Sequence, residues 1–140
     1  MILVSACLAG VKCRYDGLDS ICEKVIELVS SGEAIPICPE QLGGLSTPRD
    51  PAEIVGDKVI NVNGSDITEN FIRGAKETLK IARMMKCKKA ILKQRSPSCG
   101  CGQIYDGSHT GKLITGNGIT AQLLLDNGII IKTEDEIQTK

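Results

Sequence analysis

The alternation of short apolar runs with helical stretches constrains this chain more than any other feature. Ile2-Leu3-Val4, Ala34-Ile35-Pro36-Ile37, Ala90-Ile91-Leu92 and Ile129-Ile130-Ile131 are continuous and short, the pattern of strands covered on both faces. Pro36 cannot donate to a ladder, so its strand is expected at an edge. Between these runs lie helical periods. From about Ser20 to Ser31 the apolar positions Ile21, Val25, Leu28 and Val29 recur, with Gly32 as the stop. From about Thr68 to Met85, Ile72, Ala75, Leu79 and Ala82 share a face, and Asp66 or Thr68 offers a cap. Ile119 to Asp126 forms a third helical run before Gly128. Lys58 to Val62 reads as a short hairpin strand, and the tail beyond the last strand as polar and frayed.

A strand–helix alternation of this kind predicts an α/β fold, a Rossmann-like three-layer sandwich with a mainly parallel sheet and right-handed crossovers. With 140 residues, 41% of them hydrophobic, the chain can bury one core, so a single domain over 1–140 is expected. In such folds ligands collect beyond the carboxyl ends of the strands. Three loops lie there: Leu8 to Asp19, Gln41 to Pro51, and Lys93 to Gly102, whose glycines and proline argue against regular structure.

Seventeen basic residues balance seventeen acidic ones, without the excess that a nucleic-acid polymer or an anionic membrane surface requires. A small, weakly charged ligand is the expectation. One His, one Phe, two Tyr and no Trp leave little material for His-based zinc hydrolysis or for base-stacking platforms. The start has no basic n-region, and no apolar stretch approaches membrane-spanning length. A cytoplasmic location is therefore expected; the oligomeric state is not encoded in any pattern.

Cysteine is the conspicuous chemical resource. The seven are odd in number and unevenly spaced, a poor disulfide framework. Cys7, Cys38 and Cys99 each follow a predicted strand, beside Gly, Pro, Ser or Glu. No C-x-x-C pair occurs, which argues against a zinc ribbon. Three soft ligands from separate segments match an iron–sulfur cluster with one iron left open. Cys22 and Cys87, on or beside helices, fit as small core hydrophobes. Cys13 and Cys101 stay open between ligand and filler. The rival readings are a non-catalytic metal or redox sensor, a sulfur carrier, and a structural zinc module.

The strings Ser5-Ala6-Cys7-Leu8-Ala9-Gly10, Cys13-Arg14-Tyr15-Asp16-Gly17, Cys38-Pro39-Glu40, Gly44-Leu45-Ser46-Thr47-Pro48-Arg49 and Leu92-Lys93-Gln94-Arg95-Ser96-Pro97-Ser98-Cys99-Gly100, continued by Ile104-Tyr105-Asp106-Gly107 and Gly118-Ile119-Thr120-Ala121, resemble the thiouracil desulfurase-like family. The resemblance covers nearly the whole chain. It implies a [4Fe-4S] enzyme that converts 2-thiouracil or a related thiolated pyrimidine to the oxo base and hydrogen sulfide without net redox change. Carried over by motif, the cluster ligands are Cys7, Cys38 and Cys99, with Cys13 as the competitor.

Glu40, two residues beyond a ligand, is the candidate to take a proton from the attacking water, and loop capping is its plain alternative. Ser96 is the candidate proton relay, against a turn hydroxyl before Pro97. Arg49 and Ser98 are candidate substrate-binding residues. Arg14 is a weaker candidate, and salt bridges to Asp16 or Asp50 are the plain alternative for both arginines. His109 reads as a solvated loop residue. Gly116-Asn117-Gly118 before a helix could offer N–H groups to an anion.

Overall fold

The strand–helix alternation appears in the computed structural model, which describes residues 1–138. Four strands, β1 (Ile2–Ser5), β2 (Ala34–Ile37), β5 (Lys89–Leu92) and β8 (Ile130–Thr133), form one parallel sheet in the order β2-β1-β5-β8. Ile2 stands beside Ala34 on one side and Lys89 on the other. The edge position read from Pro36 holds, since β2 pairs with β1 alone.

Successive strand residues face opposite sides, and the two sides carry separate cores. Leu3, Ala90 and Leu92 meet Leu79 and Ala82 of α3 (Thr68–Met84) and Ala121 and Leu124 of α4 (Ile119–Asp126). Val4 and Ile91 meet Val25 of α1 (Glu23–Ser30), with Cys22, Leu8 and Cys13. Each fully buried Leu or Val contributes about 1.5–3 kcal/mol. The result is a mixed α/β fold with helices on both faces of the sheet.

Two antiparallel hairpins stand outside that sheet. β3 (Ala52–Val55) pairs with β4 (Lys58–Asn61), and β6 (Cys101–Tyr105) with β7 (Leu113–Asn117). Periodicity over 58–62 found only β4. The other three strands are only four or five residues long, and β6 and β7 each contain a glycine, so their pairing rests on each other and not on a local apolar run. Cys101 and Gly102 are therefore strand residues, although the loop reading extended to them.

Other boundaries shift. α1 begins at Glu23, and Ile21 is half exposed, not part of its buried face. Of the tail expected to fray, Glu134–Gln138 form a helix, α5, and its last two positions lie outside the described residues. Glu134 is buried because its carboxylate accepts from Lys93 Nζ at 2.9 Å and Gln94 N at 2.7 Å. At the start of α3, Asp66 Oδ1 accepts from Thr68 N at 3.0 Å, while Thr68 Oγ1 accepts from Val59 N at 2.8 Å. Among the described residues no helix is long and apolar enough to cross a membrane.

Candidate active site

The chain passes from β2 across β1 to β5, so the connections leaving β1 and β5 diverge and open a crevice at their carboxyl ends. A pocket of about 490 Å³ occupies it. Ser5 to Cys7 line it from β1, Ile37 to Glu40 from β2, and Lys93 to Cys99 from β5. The hairpins close the outer side through Glu53, Val62, Tyr105 and His109.

Cys7, Cys13, Cys38 and Cys99 all line this pocket, whereas Cys22, Cys87 and Cys101 do not. Cys7 sits in a single 3₁₀ turn, Ala6–Ala9, ended by Gly10 at φ 96°. Cys38 is the N-cap of α2 (Pro39–Leu42), with Pro39 at the first helical position, where a missing N–H costs nothing. That turn runs two residues, Gln41 and Leu42, into the segment expected to be loop. Cys22 and Cys87 are buried in opposite cores.

Cys13 is as much part of the group as the other three. The Cys38 thiol points at the Cys13 carbonyl, 3.8 Å away. The nearby Cys38 thiol favours the Cys13 thiolate, but contact with Cys7 and burial outweigh this and raise the Cys13 thiol to about 11. The Cys38 thiol is raised by its hydrogen bond with Cys13 and then by burial. Burial pushes Cys99 up to about 12 against the opposing hydrogen bond from Ser5. Such thiols become thiolates readily only when a cation takes up their charge. Among the described residues no three His, Cys, Asp or Glu side chains are set to hold a single metal ion. A sulfur-only donor set from three strand ends fits the ligand chemistry of an iron–sulfur cluster.

A polar chain runs beside the thiols. Glu40 Oε1 accepts from Arg49 Nε at 2.9 Å, and Oε2 accepts from Ser98 Oγ at 2.8 Å. Ser96 Oγ lies 2.9 Å from Ser98 Oγ. With its single proton given to the carboxylate, Ser98 can only accept from Ser96. Ser96 Oγ also accepts from the N–H groups of Ser98 and Cys99, both at 3.0 Å, so the turn role and the relay position coexist. Arg49 Nη2 donates to the Cys13 carbonyl at 2.8 Å, which joins the carboxylate to the thiol group. Its partner is Glu40 and not the neighbouring Asp50, which accepts from Asn63.

The weaker candidates separate. Arg14 lines the pocket but is held by Asp16 and Ser20, both at 2.8 Å. His109 is not a solvated loop residue: its side chain is 22% exposed, faces Glu53 and lines the pocket. Glu53 draws it there by accepting from the N–H groups of Gly107 and His109 across the two hairpins. The anion reading of Gly116 to Gly118 fails because the donors are taken. Ile119 N donates to the Pro97 carbonyl, and Thr120 N and Ala121 N to that of Ser98. Gly118 permits this approach, since a Cβ there would fall 2.5 Å from the Ser98 carbonyl.

Residues 2–136 match the 2-thiouracil desulfurase family. The chain belongs to that family. It is 46% identical to the uncharacterised protein YbbK of Bacillus subtilis strain 168, over 98% of this chain and 97% of that one. Among solved structures it is similar to TudS, a [4Fe-4S]-dependent thiouracil desulfidase, with a TM-score of 0.93 and 42% identity, covering 98% of this chain and 92% of that one. The family match spans every segment that builds the pocket wall.

Proposed function

We propose that this chain is a [4Fe-4S]-dependent desulfurase that hydrolyses the thiocarbonyl of 2-thiouracil or a related thiolated pyrimidine. The observation that carries this is the Glu40–Ser98–Ser96 chain on the same wall as four cysteines, in a member of the 2-thiouracil desulfurase family. Cys7, Cys38 and Cys99 would hold the cluster, one from each strand end, and Cys13 is the alternative third ligand. The chemistry that such a cluster supplies when bound is an iron free of protein ligands, which polarises a thiocarbonyl and accepts its sulfur.

The chain's own residues manage water and protons. Glu40 removes a proton from the water that attacks the thiocarbonyl carbon. Arg49, held by the Cys13 carbonyl on one side, fixes the carboxylate and balances negative charge near the sulfurs. Ser98 and Ser96 conduct a proton between Glu40 and the pyrimidine edge. One water is consumed, a C=S bond becomes C=O, and sulfur leaves as hydrogen sulfide. No electron is transferred, so no redox partner is required.

A cysteine sensor or sulfur carrier would use the same thiols but has no use for a carboxylate wired to two hydroxyls. Anaerobically reconstituted protein mixed with 2-thiouracil should release uracil and sulfide in equal amounts. Iron-loaded protein that turns over neither 2-thiouracil nor other thiolated pyrimidines would leave the sensor reading standing.

A further inference from the structure

Glu134 is a buried carboxylate that the chemistry of the pocket does not use. It stands at the start of α5, is 7% exposed and lies outside the pocket lining. Both its oxygens are nonetheless committed to the loop that carries Ser96, Ser98 and Cys99. Oε1 accepts from the Gln94 backbone N–H at 2.7 Å, and Oε2 from Lys93 Nζ at 2.9 Å. The next residue of α5, Asp135, faces Arg95 at 3.5 Å. Two consecutive acids of α5 thus meet the three loop residues that precede Ser96.

Arg95 shows what this grip holds in place. Its φ is 67°, a left-handed conformation that a residue with a Cβ disfavours about 5–30-fold. The backbone around it is tied down donor by donor. The Lys93 N–H goes to Ser5 Oγ at 2.9 Å, that of Gln94 to Glu134, and that of Arg95 to Gln94 Oε1 at 3.1 Å. Beyond Arg95 the chain turns on Ser96: its hydroxyl accepts from Ser98 N and Cys99 N, and its carbonyl from Gly100 N at 2.8 Å. An unfavourable φ persists only where the surroundings over-determine it, and the charged anchor of this stretch is Glu134.

We propose that Glu134 is a positioning residue: by holding Lys93 and Gln94 it keeps Arg95 left-handed, and so sets the Ser96 hydroxyl at the end of the Glu40–Ser98 chain. This rests on the reading of that chain as the proton path. Misplacing a reacting group by about 1 Å, even through a change far from the chemistry, can lower the rate about 10²-fold.

The test measures amide hydrogen exchange on the protein without metal, and turnover per bound iron on the reconstituted protein. Glu134→Gln and Glu134→Ala should speed exchange at Ser98, Cys99 and Gly100 about 5–30-fold, leave the amides of β1 and β2 unchanged, and lower kcat by up to about 10²-fold. Glycine adopts a left-handed φ freely. The same Glu134 changes made beside Arg95→Gly should therefore lose much less, measured against Arg95→Gly itself. The Arg95–Asp135 pair removed with the arginine is exposed and contributes little. Wild-type exchange at the three amides, or a wild-type kcat, in whichever Glu134 variant folds, overturns the proposal. So does faster exchange throughout β1, the mark of a merely structural role, or a loss that Arg95→Gly does not reduce. Iron-loaded wild type that turns over no thiolated pyrimidine defeats the desulfurase reading instead, and the exchange measurement, which needs neither metal nor substrate, still decides whether Glu134 holds the loop.

Discussion

Glu40 has its two carboxylate oxygens committed to different partners, Arg49 on one and Ser98 on the other. Gln in its place keeps the size and one acceptor but cannot take a proton from water. Glu40→Gln should therefore retain iron and sulfide while uracil formation falls about 10²–10⁴-fold, the usual contribution of a general base. Wild-type turnover would remove Glu40 from the proton path. Ser98→Ala, which leaves Oε2 without its hydroxyl donor, should likewise keep the cluster and lower turnover. The sequence marked Glu40, Ser96, Ser98 and Arg49 through the family motifs, but it could not pair them. Glu40 and Ser98 are 58 positions apart, and no local pattern encodes so distant a contact.

At the scale of elements, α2 is placed by two glycines. A Cβ on Gly74, in the middle of α3, would lie 2.0 Å from the Pro39 carbonyl oxygen, and one on Gly43 would lie 2.0 Å from that of Asn70. Glycine inside a helix costs about 1 kcal/mol against alanine, so its presence in α3 reflects this backbone approach. Gly74→Ala must push α2 away, and α2 carries Glu40 with Cys38 at its cap. The expected cost is about 1–3 kcal/mol of overpacking, read as a lower denaturant midpoint, with a loss of turnover larger than stability alone explains. The start of α3 gives a pH-dependent test. Hydrogen bonds from the Thr68 hydroxyl and N–H hold the Asp66 carboxyl below its usual value. A lowered folded-state pKa contributes stability that is present above the unfolded value of about 4 and is lost as pH falls through the folded one. The melting temperature of Asp66→Asn should thus lie below wild type at pH 7, and the gap should narrow on acidification past pH 4. A gap that widens in acid would reverse the sign.

For the whole molecule, β1 is the centre: β2 and β5 flank it, and the two cores cover its faces through Leu3 and Val4. Its amides, with those of β5, should be the slowest to exchange with deuterium, while β3–β4 and β6–β7 open first, since stability concentrates in the buried sheet. Equal exchange rates in β1 and β3 would contradict this division. Apolar runs and helical periods were enough to locate the four parallel strands and the three long helices, because burial on two faces or along one stripe is written directly into residue order. The same reading placed Cys7, Cys38 and Cys99 at strand ends, and the motifs carried the family. Tertiary structure alone decided the rest. It brought Cys13 in beside Cys7 and Cys38, drew His109 to the pocket through Glu53, used the α4 N-terminus to hold the Pro97–Ser98 carbonyls, and folded Glu134–Gln138 into α5 around a buried Glu134. Each of these depends on a hydrogen bond or sulfur contact between residues far apart in the chain. Local periodicity records what an element buries, but not which loop it will meet.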